Sequence, residues 1–256
     1  MTKEKIVEEK KDEFVFDEKT HSYTLGGKKM TGVTTVIGVL AKPALIGWAA
    51  KMAIEYVKDN GEVDEEGEYH VTPEILEHAK SAHTRKKEEA GTHGTDAHSL
   101  IEEYINFCLA NKGKPFALGK RAEIAGIKQF VDWAVKDVDN FLFAERRMFN
   151  KEMFVAGTAD FGCVLKTGQK LMGDFKTSSG IYGIDYYLQC AGYKILAEGE
   201  GDKPYSGCVI TRLGKDGSFE ATYSYDTKTA EDAFKACLVI YRAQAALKET
   251  ASSKTP

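Results

Sequence analysis

The second half of the chain alternates short segments rich in β-branched and aromatic residues with segments of helical hydrophobic spacing. The segments predicted to form strands are 141–145, 154–165, 170–176, 205–213 and 220–225. Helices are predicted at 185–197 and 229–247, where apolar residues recur at helical spacing. Together with a helix that ends near residue 138, this order predicts an α/β (α+β) fold, in which helices flank a mixed central sheet.

The first half of the chain begins with strand-like segments and continues as helices. Residues 14–16 and 21–25 predict two short strands, followed by a loop at Gly26-Gly27. Pro43 opens a helical pattern, because proline is favoured at the first position of a helix. The acidic stretch 60–69 that follows predicts an exposed loop.

Three further helices are predicted before the main sheet. The first extends from 72 to about 89, and a break at Gly91 to Gly94 separates it from the second, which carries His98. The third is predicted at 118–138, where apolar residues again have helical spacing.

The chain length favours one elaborated domain. With 256 residues, of which 43% are hydrophobic, the chain can bury one sizeable core. We predict a single domain over 1–250, built from an N-terminal β segment (1–42), a helical block (43–138) and an α/β core (139–248). Residues 249–256 form a polar tail.

The charge balance shows that nucleic-acid binding would need local evidence. A net charge of −4 argues against a protein coated in positive charge. The densest basic run is Arg85-Lys86-Lys87. It is compatible with DNA contact and equally with a solvated helix face paired with nearby glutamates.

Cysteine usage and the lack of long apolar runs indicate the compartment. The five cysteines are scattered without a CxxC pair, which predicts reduced, buried thiols and indicates neither disulfides nor a zinc or iron–sulfur site. No apolar run approaches the roughly 20 residues that span a bilayer, and the N-terminus lacks a signal-peptide pattern. We expect a soluble, intracellular protein with no membrane partner.

Two short motifs carry the candidate chemistry. Gly157-Thr158-Ala159-Asp160 is followed by Gly173-Asp174-Phe175-Lys176-Thr177. Asp160 and Asp174 supply the hard oxygen ligands that divalent cations need, and Lys176 shares the strand face of Asp174. Such a set suits metal-dependent phosphodiester cleavage, in which the lysine stabilises charge on a phosphate or acts on an attacking water.

With two further motifs, the chain resembles the PD-(D/E)XK nuclease superfamily, in its RecB-like exonuclease branch. Gly94-Thr95-Asp96-Ala97-His98 is similar to the GTxxH helix of that family, and Gln189-Cys190-Ala191-Gly192-Tyr193 to its QxxxY helix. Gly157 to Asp160 resembles the GxxD strand and Asp174 to Lys176 the DxK strand, in the family's order. The resemblance implies a restriction-endonuclease-like core with an N-terminal β/helical elaboration.

A looser likeness links the N-terminal region to phage-type and mitochondrial-maintenance exonucleases of the same branch. It rests on His21-Ser22-Tyr23, Val33-Thr34-Thr35 and Trp48.

The resemblance also implies roles for individual residues. His98, Asp160, Asp174 and the backbone carbonyl of Phe175 would hold Mg²⁺ or Mn²⁺, and Lys176 would be the catalytic lysine. By the same resemblance, Gln189 and Tyr193 would order the site and contact the DNA strand. From their own chemistry, Thr177 and Ser178 could hold a phosphate through hydroxyls and backbone amides, and Tyr186 could stack on an unpaired base.

Several of these candidates have a purely structural interpretation. Thr177 and Ser178 would also serve as a turn cap, and Tyr186 as a core residue. Glu102 lies one turn beyond His98 and could reach the metal through water, or be a solvated helix carboxylate. Glu145 could join the site, or pair with Arg146 or Arg147 at a strand edge.

The function that these observations predict is metal-dependent DNA exonuclease activity with little sequence specificity. Two alternatives are a structure-specific or restriction-type endonuclease and a catalytically silent DNA-binding module. The expected partner is DNA with a free end, with a recombination or single-strand-binding protein as a second candidate. The resemblance places such a protein in the cytoplasm of a bacterial or phage-infected cell, in recombination, repair or degradation of DNA.

Overall fold

The computed structural model describes residues 13–252, except 115, 125, 179, 182 and 215. For 90–96, 121, 122 and 252 only the backbone is described. The first twelve residues of the predicted N-terminal segment and the last four of the predicted polar tail lie outside the described residues. The chain divides into two compact units, one formed by residues up to 40 and from 97 onward, the other by 41–96.

The N-terminal part of the larger unit is a small antiparallel sheet. Its strands are β1 (Phe14–Asp17), β2 (Ser22–Leu25) and β3 (Lys28–Lys29). Gly26 and Gly27 both have positive φ, which is the type I′ turn geometry that suits a two-residue hairpin. The predicted strands and their loop are therefore confirmed. Strand β4 (Thr31–Gly32) then joins the main sheet, and helix α1 (Val33–Ile37) follows it.

The smaller unit is helical with one short ribbon. It contains α2 (Pro43–Asn60), β5 (Glu62–Val63), β6 (Tyr69–His70), α3 (Pro73–Lys80) and the beginning of α4 (Ala82–Ala110). The acidic stretch predicted as a loop thus includes a two-stranded ribbon. The side chain of Asp64 stabilises the turn of this ribbon by accepting hydrogen bonds from the backbone amides of Glu66 and Glu68.

The basic run lies on the first turns of α4 and is engaged within its own unit. Arg85 stacks over the ring of Tyr56 at 4.8 Å and donates to the carbonyl of His78. Lys86 forms an ion pair with Glu89 at 3.3 Å. These contacts agree with a solvated helix face paired with a neighbouring glutamate.

The predicted break at Gly91 to Gly94 is wrong, because α4 is one helix from Ala82 to Ala110. A glycine inside a helix costs only about 1 kcal/mol relative to alanine, and the flanking lysine, glutamate and alanine residues favour the helix. The helix predicted at 118–138 is shorter than expected. A 3₁₀ helix occupies Gly119–Glu123, and α5 occupies Ile127–Asp137.

The predicted strands and helices of the main sheet follow one another along the chain in the predicted order. Its remaining strands are β7 (Val138–Asn150), β8 (Val155–Leu165), β9 (Lys170–Lys176), β10 (Gly207–Leu213) and β11 (Phe219–Ser224). Helix α6 (Asp185–Gly199) separates β9 from β10, and α7 (Thr227–Ser252) follows β11. The spatial order is β11-β10-β9-β8-β4, with β7 paired along the other edge of β8. Strand β9 is parallel to β10 and antiparallel to β8, so the sheet is mixed.

Helices cover both faces of this sheet. One core contains side chains of α1, α6 and α7, including Val36, Leu196 and Phe234. The other contains side chains of α4 and α5, including Ile101 and Phe130. The predicted α+β architecture, a mixed central sheet flanked by helices, is therefore confirmed.

All five cysteines are free thiols, and four of them are buried. In the part of the chain that the structure describes, no helix has an apolar stretch long enough to cross a bilayer.

Glycine allows close packing of aromatic rings where β8 pairs with β9. Gly173 lies opposite Phe161 in the ladder, and the Phe161 ring stacks on Phe175 with centroids 4.7 Å apart. A Cβ atom at Gly173 would lie 2.1 Å from the Phe161 ring. Any larger residue at 173 must therefore displace this buried aromatic pair.

We expect Gly173→Ala to lower the free energy of unfolding by about 1–3 kcal/mol, the range for overpacking a close-packed core. Urea denaturation followed by circular dichroism measures the change. Gly47→Ala is the matched control, because a Cβ there meets nothing within 4 Å and the residue lies inside α2. The control should gain up to about 1 kcal/mol. Equal stability of Gly173→Ala and the wild type would contradict this account of the packing.

Candidate metal centre

The site lies where β8 and β9 separate. The two strands pair from Val164 opposite Lys170 to Phe161 opposite Gly173, and β4 pairs with β8 only at Val155 and Ala156. On this edge of β8, among the described residues, 157–160 therefore have no ladder partner. Instead, the backbone N–H of Phe175 donates to Oδ2 of Asp160 at 2.7 Å. A side chain thus replaces the ladder bond at the point where the sheet opens.

A change of face in β8 marks the same point. Ala159 belongs to the core next to α6, whereas Phe161 belongs to the core next to α5. Residues two apart on a regular strand share a face. The strand is therefore distorted at Asp160, the carboxylate of the first motif.

Asp174 is fully buried on β9, with 0% of its surface exposed. Lys176 Nζ contacts its Oδ2 in an ion pair, and no other described group donates a hydrogen bond to either carboxylate oxygen. Burial raises the pKa of Asp174, and Lys176 counteracts this effect while Asp160 adds to it. An ionised carboxylate in this position is costly unless further positive charge reaches it.

The donor set fits a divalent cation. The two oxygens of Asp174 are buried and have no donor other than Lys176 among the described residues, and the carboxylate of Asp160 accepts a hydrogen bond from Phe175, the neighbour of Asp174 on β9. Carboxylate oxygens are the ligands that Mg²⁺ and Mn²⁺ prefer. Burial also raises the pKa of Asp160, so a nearby cation would stabilise both aspartates in the charged form.

Glu145 is brought to the same place by an unusual backbone conformation. On β7, Ala144 pairs with Phe161 and Arg146 with Ala159, which leaves Glu145 across from Asp160. Its φ of 44° lies in the left-handed region, although it is not glycine. Such strain costs on the order of 1–3 kcal/mol and is often found at functional sites.

Burial and neighbouring carboxylates both act on Glu145. Burial, followed by the charges of Asp160 and Glu102, raises its pKa to about 7, and the charge of Arg147 opposes this shift. The arginines beside it pair elsewhere. Arg146 contacts Glu200 at 2.9 Å, and Arg147 contacts Glu18 at 3.1 Å. The structure thus favours Glu145 as a site residue over a strand-edge ion pair.

His98 reaches this cluster from α4. One ligand atom each from His98, Glu145 and Asp160 lie within 4.8 Å of one another. A cation with ligand distances of about 2.0–2.1 Å holds opposite ligands roughly 4.2 Å apart, so these atoms would need to approach one another by at most roughly 0.6 Å to share one ion. Burial lowers the pKa of His98, and the Lys176 charge lowers it further, which keeps the imidazole neutral as a metal ligand requires.

Glu102 accompanies His98 one turn along α4. Its negative charge raises the pKa of Glu145, which shows that it lies near the cluster. It is half-buried rather than fully solvated. The other residues of the GTxxH motif, Gly94 to Asp96, have side chains outside the described residues, and their backbone lies within α4 rather than at a helix start.

Helix α6 supplies a polar chain behind the lysine. Lys176 Nζ donates to Oε1 of Gln189 at 3.5 Å, and Nε2 of Gln189 donates to the hydroxyl of Tyr193 at 3.0 Å. Lys176 Nζ also lies 5.0 Å from the centre of the Tyr186 ring. These contacts hold the ammonium between the helix and Asp174. The predicted supporting residues Gln189, Tyr193 and Tyr186 are therefore all next to Lys176.

Thr177 and Ser178 follow the lysine as a partly buried turn. The Ser178 hydroxyl donates to the carbonyl of Gly180 at 2.8 Å, which agrees with the predicted role as a turn cap. Among the described hydrogen bonds, none involves the side chain of Thr177, so its role is not defined by one.

Two residues of the first motif have structural roles that the sequence did not reveal. A Cβ at Gly157 would lie 2.7 Å from the Tyr193 ring, so only glycine lets that ring approach β8. Thr158 shares a hydrogen bond of 2.8 Å with the hydroxyl of Tyr23. This bond ties β2 to the strand of Asp160. In the sequence, Tyr23 stands out only because His21-Ser22-Tyr23 resembles a segment of exonucleases. That resemblance does not predict its hydrogen bond to Thr158.

Comparisons with known proteins do not identify the chain. No protein-family model matches it, and no curated protein matches its sequence. Among solved structures, the chain is similar to the crystal structure of SSO0001 with 15% identity and a TM-score of 0.28. That match covers 57% of this chain and 70% of the other.

Replacing Glu145 tests the carboxylate cluster. In EDTA at pH 8, Glu145→Gln removes one of several like charges, so we expect a melting temperature a few degrees higher, about 2–4 °C per kcal/mol for a chain of this size. Added Mn²⁺ should raise the melting temperature of the wild type more than that of Glu145→Gln, because the variant lacks one ligand. Differential scanning fluorimetry measures both shifts.

Glu152→Gln, in the exposed turn between β7 and β8, is the control and should behave like the wild type. If Glu145→Gln lowers the melting temperature in EDTA and responds to Mn²⁺ like the wild type, Glu145 does not belong to a cation site.

Proposed function

We propose that the protein is a divalent-metal-dependent deoxyribonuclease of the PD-(D/E)XK type that hydrolyses phosphodiester bonds. The observation that carries this proposal is the meeting of Asp160, Asp174 and Lys176 where β8 and β9 separate. His98 and Glu145 lie at the same opening. The agreement of four sequence motifs with that superfamily, in the same order, supports the proposal further.

Each residue contributes to hydrolysis through its position. Asp160, Asp174 and His98 would hold Mg²⁺ or Mn²⁺, with Glu145 and the carbonyl of Phe175 as further donors. When bound, the cation supplies Lewis-acid polarisation of a phosphate oxygen and a lowered pKa for a water ligand. The backbone amide of Phe175 holds one carboxylate oxygen of Asp160 by a hydrogen bond. This contact also fixes the orientation of the other carboxylate oxygen of Asp160.

Lys176 places positive charge next to the reacting phosphate. Gln189 and Tyr193 restrict the position of its ammonium, and Asp174 attracts it to the opening. An ammonium held in this way stabilises the charge that grows on phosphate oxygens in the transition state. It can also orient the attacking water by donating a hydrogen bond to it.

The substrate we propose is DNA with a free end, cut with little sequence preference. The proposed reaction uses metal and phosphate contacts and involves no contact with base edges. Affinity should fall steeply as salt rises, since backbone contacts dominate it. We place the activity in the cytoplasm of a bacterial or phage-infected cell, in recombination, repair or degradation of DNA, where a recombination or single-strand-binding protein is a suitable partner.

Nuclease assays with purified protein test the proposal. End-labelled linear single- and double-stranded DNA and closed circles are incubated with Mg²⁺ or Mn²⁺. We expect release of short products from linear DNA and none in EDTA. Asp174→Ala and Lys176→Ala should each reduce the rate by about 100-fold or more, as expected for the loss of a ligand or charge that acts in the transition state.

The control variant is Asp139→Ala, an exposed carboxylate at the beginning of β7, which should retain full activity. Melting temperatures should show that Asp174→Ala is folded, because it removes a buried charge whose desolvation Lys176 offsets incompletely. Cutting of closed circles would favour an endonuclease. Intact DNA under every condition would refute nuclease activity and leave a DNA-binding module as the alternative.

A further inference from the structure

A second polar cavity lies beside the metal centre, in the larger unit. Its volume is about 610 Å³. Its wall is formed by the turn before β2, by β2, β3, β4 and the beginning of α1, and by single residues of β8, α6 and α7. These segments are far apart in the chain, so the cavity exists only in the folded protein.

The cavity adjoins the metal centre through Tyr193. Tyr193 lines the cavity, and its hydroxyl accepts a hydrogen bond from Gln189, which in turn accepts one from Lys176. Gly157 and Tyr23 also line the cavity, and Tyr23 is fixed by its hydrogen bond to Thr158 on the strand of Asp160. A molecule that occupied the cavity would therefore lie next to the residues that position Lys176.

The chemistry of the wall suits a phosphate chain with attached rings. Eight of the fourteen lining residues carry hydroxyl groups, and Lys29 supplies a positive charge. Among the residues that the structure describes, no aspartate or glutamate lines the cavity, although the whole chain has 39 acidic residues and a net charge of −4. Hydroxyls and lysine donate to phosphate oxygens, and Tyr241 supplies an aromatic ring for stacking.

We propose that this cavity binds an unpaired DNA strand next to the bond that is cleaved. The proposal rests on the proposed nuclease function and names the form of its substrate. A cavity of this size is within the range of about 300–1,000 Å³ that proteins use for small ligands. It accommodates one or two unpaired nucleotides and excludes a base-paired duplex, so a free single-stranded end is the form that enters.

Two lysines on one short strand provide a matched test. Lys29 lines the cavity, whereas its neighbour Lys28 does not, and both are exposed on β3. Successive side chains on a strand point to opposite faces. Lys29→Ala should weaken binding of a single-stranded oligonucleotide by roughly three- to tenfold, and Lys28→Ala should not.

Fluorescence anisotropy with a labelled 12-mer, in EDTA so that no hydrolysis occurs, measures this binding over a range of salt concentrations. Loss of one phosphate contact should reduce the slope of log affinity against log salt by about 0.7. A blunt duplex of the same length should show no difference between the two variants.

A second pair of variants adds negative charge instead of removing positive charge. Thr35 lines the cavity in the first turn of α1, and Thr229 occupies the first turn of α7 outside it. Both are exposed. Thr35→Glu should weaken single-strand binding at least as much as Lys29→Ala, since a carboxylate repels phosphate. Thr229→Glu should bind like the wild type.

The outcomes separate this inference from the proposed function. If the wild type cuts linear DNA but Lys29→Ala and Thr35→Glu bind single strands normally, the cavity proposal is wrong and the nuclease proposal stands. Equal losses for single strands and blunt duplexes would also overturn it. If both variants weaken binding while the wild type cuts nothing, the cavity binds DNA and the nuclease proposal fails.

Discussion

A fully buried carboxylate with a single ammonium as its partner is the constraint on which the rest of this structure depends. Asp174 has no exposed surface, and among the described residues only the ammonium of Lys176 is paired with it. Removing an ion from water costs several kcal/mol, and one partner offsets this cost incompletely. Asp160 and Glu145 add negative charge next to it. Such an arrangement is unfavourable by itself, and the proposed cation would make it favourable.

The surrounding fold holds this arrangement in place. Core packing on both faces of the sheet fixes β8 and β9, and their pairing ends next to Asp160 and Asp174. Glycines at 157 and 173 let aromatic rings pack against the strands that carry the carboxylates. The left-handed conformation of Glu145 shows that β7 also accepts strain at this point. The stability of the hydrophobic core therefore supports a site that is itself destabilising.

The sequence predicted the elements of the sheet well, because each has a strong local pattern. Strand β9 was predicted with the boundaries that it has, and the helix carrying Gln189 and Tyr193 was placed to within a few residues. The two aspartates and the lysine were predicted because the spacing of residues along strands fixes which side chains share a face. These predictions depend on neighbours in the chain.

Other features depend on contacts between distant residues and were not predictable in that way. The position of Glu145 depends on the register of β7 against β8 and on a positive φ that no local pattern indicates. The helix continues through Gly91 to Gly94 because glycine is only a weak helix breaker. The polar cavity combines segments from residue 20 to residue 241, so its wall cannot be recognised in any one stretch of sequence.

If the opening between β8 and β9 is a cation site, crystals soaked in Mn²⁺ will hold manganese there, and anomalous diffraction locates it. We expect a manganese peak bonded to carboxylate oxygens of Asp160 and Asp174, with His98 or Glu145 as a further ligand. A crystal that binds manganese elsewhere but not at this position would show that the opening is not a cation site.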